Sequence, residues 1–173
     1  MDIFDIGSGV RPIKQSTYNT PGSVRKAALS ENYLVIADGS AGLTVLDLTS
    51  IESPSQVWNI PQESPANAVA VAGKIAFIGL ENGKIKSYDL FSGQKIDEIH
   101  PGKTIEDLAI SGDSLIALEN VQNQRSRVHS ILVFNGRFSD DDGPFLPRNS
   151  VDTPGHRQWG LKNGLGRRLF VGD

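Results

Sequence analysis

The sequence predicts an all-β chain built from a repeated unit of four short antiparallel strands. Three observations carry this. Asp5, Asp47 and Asp89 stand 42 residues apart, each closing a similar pattern: "MDIFDI", "LTVLDL" and "IKSYDL". Residues 24–48 lie over residues 66–90 without a gap, so that Ala27 falls on Val69, Leu29 on Val71, Val35 on Phe77, Ile36 on Ile78 and Leu43 on Ile85. Finally, no stretch repeats its apolar residues at helical spacing. A fixed period of roughly 20–50 residues marks a repeat architecture.

The first repeat contains four strand-like runs, "RKAALS", "YLVIAD", "LTVLDL" and "SQVWNI". They are separated by "SENY", "DGSAG" and "SIESPS", whose Gly, Asp, Asn and Ser supply positive φ or local side-chain bonds. A third copy spans 104–135 and places Asn135 at the aspartate position, 46 residues after Asp89, with about four extra residues in "ENVQNQRSR". Four short strands per period of this length form the blade of a β-propeller, whose sheets stand radially around a channel. The inner strands "KAALS", "AVAVAG" and "DLAIS" are small or apolar, as crowding near the axis requires.

The two ends complete each other. "RRLFVGD" at 167–173 matches "NYLVIAD" at 32–38, and "MDIFDI" matches the third strand of the first repeat. The expected organisation is one propeller domain of about four blade equivalents. Its repeats lie near 21–61, 62–100 and 101–149, with a composite blade from 150–173 plus 1–20. Three closures stay open: a four-bladed ring, a piece of a larger propeller, and two chains sharing one eight-bladed ring.

Composition narrows the function classes. A hydrophobic content of 38% with 21% charge is that of a globular domain. The net charge of −3 gives no reason to expect nucleic acid or an anionic membrane as partner. No apolar run reaches the length of a membrane-spanning helix, and "MDIFDIGSGV" lacks the basic start and apolar stretch of a signal peptide. The absence of cysteine removes disulfides and thiolate chemistry. It suits the cytosol and disulfide-free bacterial surface proteins alike.

At "ENYLVIADGSAGLTVLDLTSIESP", and at "RRLFVGD" joined to "MDIFDIGSGVRP", the chain resembles the LVIVD repeat family. "ENGKIKSYDLFSGQKI" is similar to the strand-turn unit of quinoprotein-like and WD40-like propellers. The resemblance implies propeller repeats of bacterial or archaeal extracellular, cell-surface or periplasmic proteins, with a non-enzymatic protein-interaction or ligand-binding scaffold role. It departs from the quinoprotein pattern, which has a Trp where this chain has "KIDEI", and from WD40 proteins in having no Trp-Asp dipeptide.

Candidate binding residues follow from the repeat. The residue opening each inner strand faces the channel mouth, which selects Arg25, Asn67 and Glu106, with His156, Arg157 or Trp159 in the fourth place. These differ from blade to blade, as a specific site for a protein or small ligand would. Arg125 and Arg127 on the 119–129 hairpin suit a carboxylate or phosphate. The segment 135–160 carries Phe138, Phe145, His156 and Trp159 and suits a partner interface.

Asp140, Asp141 and Asp142 offer calcium ligands, but adjacent aspartates point apart, and a solvated turn is the better reading. No metal site and no cofactor are expected. Asp5, Asp47 and Asp89 repeat too regularly for catalysis and are expected to cap turns. No nucleophile elbow, phosphate loop or histidine pair appears. The alternatives to a scaffold are a calcium-dependent hydrolase or lactonase using Asn67 and Glu106, and a module that self-associates through open blade edges.

Overall fold

The computed structural model describes residues 1–7, 11–121, 126–139, 160–162 and 168–170, the last two by backbone alone. All of its elements are strands, in chain order β1 Asp2–Asp5, β2 Ile13–Thr17, β3 Lys26–Ser30, β4 Tyr33–Ala37, β5 Leu43–Asp47, β6 Ser55–Ile60, β7 Ala66–Ala72, β8 Ile75–Leu80, β9 Ile85–Asp89, β10 Lys95–Ile99, β11 Ile105–Ser111, β12 Ser114–Glu119, β13 Arg127–Phe134, β14 Arg137–Phe138, β15 Gly160–Lys162 and β16 Arg168–Phe170. Three four-stranded antiparallel meanders are formed: β3–β4–β5–β6, β7–β8–β9–β10 and β11–β12–β13–β14. They are the first, second and third blades. The pairs β1–β2 and β15–β16 are two-stranded sheets of their own.

The blades stack face to face. In β7 and β8 alternate side chains go to opposite sides, as the period of two dictates. Ala66, Val69, Ala76, Ile78 and Leu80 pack with Val35, Ala37, Leu43 and Val45 of the first blade. Ala68, Ala70 and Phe77 pack with Ile105, Leu108, Leu115, Ala117 and Ile131 of the third. A sheet covered on both sides must be apolar on both, and this is why the second repeat reads as continuous apolar runs. Contact is tight enough to exclude a side chain at Gly79, where a Cβ would lie 2.4 Å from Ile105.

Turns obey the period. Glu31, Gly73 and Gly112 each open the two-residue hairpin between the first and second strands of their blades, with φ of 52°, 55° and 56°. The repeated aspartates cap turns as expected. Asp5 Oδ1 accepts from Gly7 N at 2.7 Å. Asp47 Oδ1 accepts from Thr49 N and Oγ1 at 2.7 and 2.6 Å. Asp89 Oδ1 accepts from Phe91 N, Ser92 N and Ser92 Oγ at 3.0, 2.8 and 2.9 Å. These bonds hold the Asp47 and Asp89 carboxyls below their ordinary range.

Two expectations need correction. Asn135 is not the equivalent of Asp89. Strand register pairs Ile75 with Asp89 and Ser114 with Leu132, so the aspartate position falls on Leu132. β13 runs on to Phe134, and Asn135 and Gly136, with φ of 49° and 77°, form a two-residue turn into β14. Positive φ at both residues is what Asn-Gly in a hairpin provides. The four extra residues do lie in the β12–β13 hairpin, since Leu118 pairs with Val128 where Gly79 pairs with Ile85. Phe138, expected on an exposed loop, is buried in β14 and meets the Phe77 ring at 6.0 Å.

Candidate functional site

The starts of the three inner strands converge. Arg25, Asn67 and Glu106 line one open cleft of about 520 Å³, together with Thr104, Asp107 and Leu118. The second and third blades place their residues by the same device. β7 pairs Ala66 with Leu80 and Ala68 with Gly79, leaving Asn67 as the extra residue of a bulge. β11 pairs Ile105 with Glu119 and Asp107 with Leu118, leaving Glu106 as the extra residue. A bulge re-aims a side chain out of the alternation of its strand, and here it turns a polar residue out of an apolar run. Arg25 stands one residue before β3, its amide bonded to Ala37 O at 2.8 Å.

Bonds between blades hold the neighbouring strands in place. Gly39 and Ala66 exchange backbone bonds of 3.2 and 2.9 Å, joining the end of β4 to the start of β7. Lys26 Nζ and Asp107 form an ion pair that links the first and third blades, 81 residues apart. Glu106 accepts a bond from Asn120 Nδ2, and Asn120 N donates to Thr104 O at 2.8 Å.

Behind the cleft, buried acids anchor the segments that lead into the inner strands. Asp38 accepts from Thr20 Oγ1 and Gly22 N, both at 2.8 Å. Glu119 occupies the equivalent place in the third blade, accepting from Lys103 N at 2.7 Å and meeting His129 Nε2 at 2.8 Å. Burial raises the Glu119 carboxyl, but the bonds from Lys103 and His129 outweigh it and hold the group below its usual range. The second blade has Leu80 there instead. Its lead-in is held by buried Lys86, whose Nζ donates to Gln62 Oε1 at 3.0 Å and pairs with Glu63.

Of the residues singled out in the sequence, Arg25, Asn67 and Glu106 are brought together. Arg127 is described but lies outside the cleft lining. It opens β13 half-buried opposite Glu119, where its charge helps to lower that carboxyl. Arg125, His156, Arg157, Trp159, Phe145 and the three aspartates 140–142 lie outside the described residues. Lys26, Thr104, Asp107 and Leu118 were not selected. Lys26 and Asp107 share one repeat position, directly after the selected one, which is the signal that could have found them. Among the described residues no three His, Asp or Glu side chains gather to hold a metal. A second cleft of about 660 Å³ runs beside Met1, Asn19, Thr20, Gly22, Ser23 and Val24. Among its described lining residues the charged group is the Met1 amine, which donates to Tyr18 O at 2.9 Å.

Comparison with known proteins bears on the fold. Residues 21–57 match the LVIVD repeat. No curated protein gives a significant sequence match. Among solved structures, the computationally designed Ika4 protein is similar at TM-score 0.57 and 16% identity, over 90% of this chain and 94% of its own. Hydrazine synthase of Kuenenia stuttgartiensis is similar at TM-score 0.59 and 16% identity, over 72% of this chain and 37% of its own. BamB of Moraxella catarrhalis is similar at TM-score 0.57 and 16% identity, over 73% of this chain and 38% of its own. The chain therefore spans less than two fifths of the length of these two natural proteins. Likeness at this identity carries the fold. Residues 21–57 match the LVIVD repeat, and the fold of the chain is that of β-propeller blades.

Proposed function

We propose that the chain is a non-enzymatic binding scaffold of an extracellular, cell-surface or periplasmic propeller protein, and that it engages a protein or small ligand at the channel-mouth cleft. The observation that carries this is the convergence of Arg25, Asn67 and Glu106, three unlike polar residues at one repeat position, on a single cleft. Residues that serve the blade recur in kind, as Asp5, Asp47 and Asp89 do. Residues that vary at a shared, exposed position serve a ligand. The LVIVD repeat at 21–57 supports the assignment to the cell exterior. A screen of mixed small molecules and peptides by ligand-observed NMR tests the reading. Compounds that bind the wild type are expected to be lost in the Arg25→Ala/Asn67→Ala/Glu106→Ala variant. Hits that all survive in that variant contradict it.

A specific observation favours a second role, assembly with further blades. Leu43 and Ile85 are fully buried between blades, yet Val128, at the equivalent register position of the third blade, is 44% exposed. Leu132 and Phe134 on the same face are exposed too, as are Phe4, Ile13 and Leu29 at the other end of the stack. Light scattering at two concentrations should then show a dimer or growth with concentration, abolished by Val128→Lys. A monomer at both concentrations contradicts this role.

A further inference from the structure

The charges of the cleft are only partly satisfied, and the way they are left over specifies a ligand. Lys26 and Asp107 neutralise each other. Beside them, among the described residues, Arg25 has no hydrogen-bond or ion-pair partner, and Glu106 is bonded by the neutral Asn120 with no cation against it. Arg25 belongs to the first blade and Glu106 to the third. Asn67, on the blade between them, makes no side-chain bond among the described residues. The cleft thus presents an unpaired cation, an amide and an unpaired anion, contributed by three consecutive blades.

We infer that the cleft binds a peptide segment carrying both charges, with a carboxylate on Arg25, an ammonium on Glu106 and a peptide amide against Asn67. This deepens the binding reading above and rests on it. The guanidinium fork matches a carboxylate with two parallel donors. The Asn67 side chain carries both a donor and an acceptor, which is the complement of a peptide group. Glu106 repels a phosphate dianion, and Arg25 repels a bare metal cation, so neither of those simpler ligands satisfies the set. A volume of about 520 Å³ accommodates a few residues of extended chain. The Arg25 and Glu106 side chains are exposed, so the attraction is screened by salt.

The test is titration calorimetry of the full chain with N-acetyl-lysyl-glycyl-glutamyl-amide and the reversed glutamyl-glycyl-lysyl peptide. Their counterparts carry norleucine for lysine or glutamine for glutamate. At least one order of the charged peptide is expected to bind, about tenfold more tightly than either singly neutralised form. Arg25→Gln should erase the preference for glutamate over glutamine while keeping that for lysine, and Glu106→Gln should do the reverse. Circular dichroism of both variants should match the wild type, since neither side chain is buried. Equal binding of charged and neutral peptides, or equal loss of both preferences in either variant, overturns the inference. If the mixed library yields cleft ligands while both charged peptides fail, the inference falls and the scaffold reading stands. If nothing binds at the cleft, both fall.

Discussion

At the residue scale the protein separates structural from functional polarity by repetition. The aspartate recurs at Asp5, Asp47 and Asp89 because each of those strands is followed by a turn that must be closed. Glu31, Gly73 and Gly112 recur as positive-φ residues because each blade needs the same hairpin. Nothing lies within 4 Å of a Cβ built at Gly73, so Gly73→Ala tests the backbone alone. It should cost about 1 kcal/mol in urea unfolding, the expense of a left-handed alanine. A wild-type midpoint would deny that conformation.

Glu63 offers a pH test. Its hydrogen bond with Lys86 leads the causes that lower its pKa from 4.5 to about 2. A depressed folded pKa contributes stability above the unfolded value, lost as pH falls toward the folded one. Wild-type stability should therefore drop between about pH 4.5 and 2, and Lys86→Met should flatten that part of the profile. Glu63 is partly exposed, so the effect is screened and modest. Urea midpoints across this range decide it.

At the scale of the element, strands and turns were legible because both of their signals are local. Alternating apolar runs, Gly-bearing turns and the 42-residue period identified the strands of each blade. Two details were not local. The third blade lengthens its third strand instead of closing it at the aspartate position, and only pairing with β12 reveals this. The bulges at Asn67 and Glu106 leave no mark in composition, although the repeat position itself led to both residues.

Phe138 looked like a loop aromatic because the two-residue turn before it makes β14 too short to read from pattern. The Gly136 turn is correspondingly demanding. At φ of 77° an added Cβ would also meet Ile96 Cδ1 at 2.8 Å. Gly136→Ala should lower stability by about 1–2 kcal/mol, read from the thermal midpoint. An unchanged midpoint would mean that the Asn-Gly hairpin is not formed.

At the scale of the whole molecule, stability comes from burying both faces of the second blade. Phe77→Ala, at the centre of the interface between the second and third blades, should cost about 3–5 kcal/mol. The channel-mouth cleft depends on that stacking, because its residues come from three blades. Covalent order says nothing about which unpaired charges end up as neighbours. The sequence therefore pointed to Arg25, Asn67 and Glu106 as equivalents, but not to Lys26 pairing with Asp107 across the first and third blades.

That pair gives the most direct test, since it forms only if the blades are arranged as described. Zero-length carbodiimide coupling of the monomer fraction joins a lysine amine to a carboxylate only where they touch. Peptide mass spectrometry should then find Lys26 linked to Asp107, alongside Lys84 linked to Glu98 within the second blade as an internal control. Recovery of the Lys84–Glu98 link without any Lys26–Asp107 link would contradict the radial arrangement and the cleft built on it.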